Sequence, residues 1–195
     1  MITTETIKEL RDQTGISVMQ CKKALEEVDG DIEKALIVLK KKSGDIALKK
    51  AGRTLGSGTI AAYIHGGGKV GTMVELSCET DFVAKNEEFK KLAYDIAMHI
   101  AATNPEFLSA EDVSEEDKKK ATEIFMKEVE KSDKPKEIKQ KMIEGKLSSY
   151  FNEQTLLEQS FVKNPDTTIK GLLEEAVQKF GERTEVTNFV RFAIS

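Results

Sequence analysis

Cysteine and histidine are scarce, two of each among 195 residues, and the shortage removes several chemistries at once. Cys21 and Cys78 sit in unrelated contexts, with no CxxC pair and no neighbouring histidine, so neither a zinc site nor a disulfide framework is indicated. Such cysteine usage fits a reducing cytosol. A nucleophilic Cys78 would need a base beside it, yet its near neighbours are Glu79 and Asp81, whose charges raise a thiol pKa. Cys78 therefore reads as a small core residue. His65 falls in an extended segment and His99 in a helical one. His99 is read as a partly buried helix residue, with a role at an interface as the alternative.

Long apolar runs are missing too. No stretch approaches the roughly 18 residues that cross a bilayer, and the opening MITTETIKEL lacks the apolar core of a signal peptide. A cytoplasmic chain without membrane contact is expected. An excess of positive charge is also lacking: the net charge is −4 and the pI about 5.5. Residues 1–55 carry 11 Lys and Arg against 9 Asp and Glu, and the remainder 19 against 25. Nucleic-acid binders normally show a dense basic face or a pI above about 9, so no direct contact with DNA or RNA is expected. The Lys40, Lys41, Lys42 run reads as a solvated helix face. Gly66-Gly67-Gly68-Lys69 lacks the spacing of a phosphate loop and leads into another extended run rather than a helix. No catalytic residue, cofactor or metal site is indicated.

What is present is periodicity. Residues 1–52 read as a compact module of three short helices. Ile7 and Leu10 pair on the first, which stops at Thr14-Gly15. Ser17 caps the second, whose Ala24, Leu25 and Val28 face inward. After the Asp29-Gly30 turn, Asp31 caps the third, with Ile32, Ala35, Leu36 and Leu39 on its stripe. Four glycines, Gly44, Gly52, Gly56 and Gly58, place a boundary near Gly52, although residues 45–51 could add a helical turn or two.

Residues 53–195 read as a second, α+β domain with a small antiparallel sheet flanked by helices. TIAAYIH and VGTMVELSC form a hairpin about the glycines. Helical spacing returns after Phe82, with Phe89, Leu92, Ala93, Ile96, Ala97 and Ile100 on one face up to Asn104-Pro105. Ser114 opens a further helix through Val129, and Lys134-Pro135 another through Ile143. Residues 156–162 fit either helix or strand. A helix over 169–180 and a closing strand over 185–194 complete the pattern.

Asp81-Phe82 raises the one functional question the spacing offers. Either Asp81 caps the next helix and Phe82 packs as its hydrophobic lead-in, or the ring projects as a wedge for another protein's apolar pocket. Met19, near the start of the second helix, divides the same way between core and partner contact.

Longer motifs carry a resemblance. "IKELRDQTGISVMQCKKALEEVDGDIEKAL" resembles the amino-terminal ubiquitin-associated-type module of the bacterial elongation factor Ts family, and "TDFVAKNEEF" resembles that family's core signature. "IAMHIAATNPEFL", "KPKEIKQKMIEGKL" and "LLEQSFVKNPDTTIKGLL" follow in the family's order, so the likeness spans nearly the whole chain. It implies a guanine nucleotide exchange factor for elongation factor Tu, without bond-making chemistry of its own. Thr80, Asp81, Phe82 and Val83 match the family's segment that intrudes between helices of the GTPase and disturbs its Mg²⁺ and phosphate contacts. Gly15, Ile16, Val18 and Met19 match its amino-terminal contact. Longer family members carry two related core subdomains; this chain has one sheet hairpin, which resembles the short form and implies a homodimer. The helical module taken alone would also suit an adaptor.

Overall fold

The computed structural model describes residues 2–130 and 135–194. Three helices come first: α1 (Thr4–Thr14), α2 (Val18–Glu27) and α3 (Ile32–Lys50). Each opens on a side-chain cap. Thr3 accepts from the Thr6 amide, Ser17 from Gln20 and Asp31 from Lys34, which satisfies amides that a helix start leaves without partners. Gly15 ends α1 in the left-handed region, at φ 69°, where a side chain is strained and glycine is not. Leu10, Ile16, Cys21, Ala24, Leu25, Ala35 and Leu39 fill the space between these helices. The third helix is not short. It runs 19 residues, straight through Gly44, and packs along α8; Ser43 is buried with its hydroxyl bonded back to the Lys40 carbonyl.

The hairpin follows as β1 (Ser57–His65) and β2 (Val70–Cys78), and β5 (Thr184–Ala193) joins the far side of β2 in a three-stranded antiparallel sheet. Gly66, Gly67 and Gly68 all take positive φ at the hairpin turn. One face of the sheet is covered by α5 (Glu87–Thr103), where Val74, Leu76, Phe89, Ile96, Ile100 and Val186 form the main core. Thr72 is buried in that contact and donates its hydroxyl to the Ala97 carbonyl at 2.7 Å. The opposite face carries Ile60, Ala62, Ile64, Met73, Val190 and Phe192, all exposed. The register sets them in rows across the strands, Ala62–Met73–Val190 and Ile64–Gly71–Phe192.

Between Cys78 and α5 lies a separate four-residue helix, α4 (Asp81–Ala84). The helical spacing read after Phe82 is therefore interrupted. Beyond α5, α6 (Glu115–Glu130) and α7 (Lys136–Gln154) pack together, and α8 (Ile169–Phe180) lies against α3 and the end of β5. Pro135 stands at the start of α7; Lys134, read with it as the helix opening, lies outside the described residues. The ambiguous 156–162 stretch splits into a 3-10 turn (Leu156–Glu158) and β3 (Ser160–Phe161), which pairs with β4 (Asn164–Thr168).

The two apolar clusters do not merge. Between α1–α3 and α8 is a cavity of about 470 Å³ lined by Ile16, Leu39, Leu172 and Phe180 together with Glu175 and Gln178. Polar contacts span the seam: Gln178 Nε2 donates to Gln20 at 3.0 Å, Lys40 to the Asp166 carbonyl at 2.9 Å and Lys50 to the Gly181 carbonyl at 2.7 Å. Lys40 and Lys42 are thus not merely solvated, since Lys42 in turn pairs with Glu27. Burial pushes the Glu175 carboxyl above its usual range.

Candidate functional site

The segment after β2 is held tightly at its base and is free at its tip. Glu79 accepts from Arg53 Nη1 on both carboxylate oxygens, at 3.2 and 3.3 Å, and from the Arg183 amide at 2.7 Å. The amide bond, then the guanidinium, keep the Glu79 carboxyl below its ordinary range. Arg183 reaches the Arg53 carbonyl with Nη1, at 2.5 Å, and grips Glu185 with Nε and Nη2.

Thr80 is bound on every polar atom. Its amide donates to Glu182 Oε2 at 3.0 Å and its hydroxyl to Glu182 Oε1 at 2.6 Å, while its carbonyl accepts from the Ala84 amide and from Cys78 Sγ. Burial and the nearby Glu182 charge push the Cys78 thiol upward, so the thiolate is disfavoured. Cys78 is buried.

Past Thr80 the anchoring stops. Val83 and Ala84 are buried in the main core, which turns the opposite side of α4 outward. Phe82 is 81% exposed, so the lead-in packing considered for it does not occur. Asp81 does not cap the next helix either. It sits inside α4 and receives Lys85 Nζ at 2.6 Å, a bond that lowers its pKa. The cap of α5 is Asn86, whose side chain accepts from the Glu88 amide at 2.8 Å.

The second predicted segment reaches the same end of the molecule. The end of the Lys179 side chain lies where a β-carbon on Gly15 would fall, 2.6 Å from Lys179 Cε. Lys179 Nζ then pairs with Glu88, in the first turn of α5, at 2.7 Å. Ile16 is buried within the first three helices, whereas Val18 and Met19 are 51% and 63% exposed. Of the eight residues singled out from sequence, then, Ile16 and Val83 are anchors, Gly15 a turn, and Phe82, Val18 and Met19 outward apolar groups. The residues that fix this geometry, Arg53, Glu79, Glu182 and Arg183, were not singled out. Their pairing joins positions up to 130 apart, and no local spacing signals it.

His99 is fully buried rather than partly so. Val162 N–H donates to its Nδ1 at 3.3 Å and its Nε2 meets Gln159 Oε1 at 2.8 Å, so it ties α5 to the β3 segment. Among the described residues, no group of three or more His, Cys, Asp or Glu could hold a metal ion, and no helix is long and apolar enough to cross a membrane.

An exposed apolar ring on a braced stem is a shape suited to contact with another protein. The model of the family described as Elongation factor TS matches residues 2–195. Similar proteins named Elongation factor Ts include that of Carboxydothermus hydrogenoformans, 50% identical over all of this chain and 89% of the relative's length. Those of Thermosipho melanesiensis, 47% identical over all of this chain and 99% of the relative, and Desulfotalea psychrophila, 49% over 99% and 98%, span almost the same length. The chain belongs to the elongation factor Ts family. It is a nucleotide exchange factor for elongation factor Tu in translation elongation.

Proposed function

We propose that exchange works through Phe82 as a wedge, with Thr80, Asp81 and Val83 setting its aim and Gly15, Ile16, Val18 and Met19 forming a second contact on the same GTPase. The observation that carries this reading is an 81% exposed phenylalanine on a helix whose other side is buried core. An exchange factor forms and breaks no covalent bond. It binds the nucleotide-free GTPase more tightly than the nucleotide-bound one, and nucleotide weakens its grip by the same factor.

Accelerating GDP release about a thousandfold needs a barrier lower by about 4 kcal/mol, and full burial of a phenylalanine contributes about 1.5–3 kcal/mol. The ring alone falls short, so the helical contact must help to hold it in place. Mg²⁺ is the vulnerable target in the partner, because it bridges phosphates and tolerates little departure from octahedral geometry. A small displacement of a supporting helix by Phe82 loosens ion and phosphates together.

Residues 1–52 act in this reading as a ubiquitin-associated-type module, and residues 53–195 as the core and dimerisation domain of a cytoplasmic factor that touches neither nucleic acid nor membrane directly. The homodimer would pair the open sheet faces, for Ile60, Ile64, Met73 and Phe192 leave an apolar surface that the chain itself does not cover.

The test is release of a fluorescent GDP analogue from elongation factor Tu, chased with excess GDP. Strong acceleration by the wild type, reduced by about tenfold or more in Phe82→Ala, is the expected result. Equal acceleration by both proteins would remove the wedge.

A further inference from the structure

Thr80 occupies the position before α4 where a threonine ordinarily turns its hydroxyl to the helix's own free amides, yet it makes no such bond. The hydroxyl and the amide go instead to the two oxygens of one carboxylate, Glu182, 102 residues away in the turn between α8 and β5. The sheet does not need this link. Cys78 already pairs with Thr184 across the β2–β5 ladder, and Gly56 N–H already closes on the Cys78 carbonyl. The paired bonds to Thr80 therefore add little to the joining of the strands. What they fix is the direction in which the chain leaves the sheet, one residue before Asp81 and two before Phe82.

The neighbouring contacts have the same character. Glu79 is clamped by Arg53 from one side and by the Arg183 amide from the other. With Cys78 Sγ on the Thr80 carbonyl, the stem has little rotational freedom left. A wedge that must strike a particular helix contact loses effect when its direction wanders, as misplacements of about 1 Å can cost a hundredfold in rate.

We propose that Glu182 is a positioning residue for nucleotide exchange: by holding the Thr80 amide and hydroxyl it sets the aim of Phe82, and it acts on the partner only through that ring. The inference rests on the wedge reading above. It predicts that removal of the carboxylate slows exchange while leaving the fold intact.

The experiment is a double-mutant cycle of Glu182→Ala and Phe82→Ala, read by GDP release from elongation factor Tu, with thermal unfolding followed for every variant. In the expected result Glu182→Ala loses about tenfold in exchange, its unfolding midpoint stays close to that of the wild type, and the double variant is no slower than Phe82→Ala alone. Losses that multiply in the double variant would show that Glu182 acts independently of the ring and would overturn the proposal. So would full activity of Glu182→Ala while Phe82→Ala is slow, a result that leaves the wedge standing. Full activity of Phe82→Ala would remove both. Should Glu182→Ala lower the midpoint, Glu182→Gln, which keeps one acceptor oxygen and the side-chain volume, carries the same cycle.

Discussion

His99 shows how one buried side chain makes stability depend on pH. Burial lowers its pKa from the ordinary 6.5, and the contact with Gln159 only partly offsets this. Well above pH 6.5 the imidazole is neutral in folded and unfolded chains alike, and the bonds to Val162 and Gln159 are at full strength. As pH falls through 6.5 the unfolded chain takes the proton first, so stability declines until the folded pKa has also been passed. The unfolding midpoint of the wild type is expected to drop between pH 7 and pH 5.5, and a His99→Gln variant to drop much less over that interval. A parallel decline in both would place the sensitivity elsewhere. Sequence spacing located His99 on its helix but not its complete burial, since Gln159 and Val162 lie 60 and 63 residues further on. Phe82 is the contrasting case. Its neighbours left cap and wedge both open, and the burial of Val83 and Ala84 behind it turns it outward.

Among the elements, those with a strong period and a visible cap were legible. Helices α1 and α2, the hairpin about its glycines and α8 fell where alternation and capping residues placed them, because local rules suffice when chain neighbours supply the contacts. The elements that escaped were decided at a distance. Helix α4 is four residues long, and its Val83 and Ala84 enter the main core, while the short β3–β4 pair sends Phe161 into that core and meets α5 through His99. The start of α5 offers a clean test. Asn86 caps it, and Asn86→Ala should destabilise the protein by about 1 kcal/mol, measured by denaturant unfolding. An unchanged midpoint would mean that Glu87 and Glu88 in the first turn already stabilise this end sufficiently. Because α5 follows directly on α4, loosening of its first turn should also lower exchange modestly.

For the whole molecule the open sheet face matters most. Met73 and Val190 sit side by side in the register, and Phe192 beyond them is 70% exposed. The hairpin of β1 and β2 was readable in the sequence, but not whether its second face was covered, because that depends on how distant parts of the chain pack. A Phe192→Asp substitution puts a charge into the proposed contact between copies. It should convert a dimer to a monomer in sedimentation analysis while leaving the helix content unchanged. A dimer that persists would place the contact on another surface.

The seam between the two apolar clusters has a consequence for the rhythm of translation. A factor that must leave its partner once in every cycle is hindered by a grip that has to break all at once. Here the first three helices and the sheet-bearing part meet through the packing of α3 on α8 and through hydrogen bonds around a cavity, so in the two-contact reading proposed above each contact stands on its own apolar core. Two linked contacts of that kind open one at a time, and until the second has opened the first can reverse. Firm holding and stepwise release are then compatible in one chain.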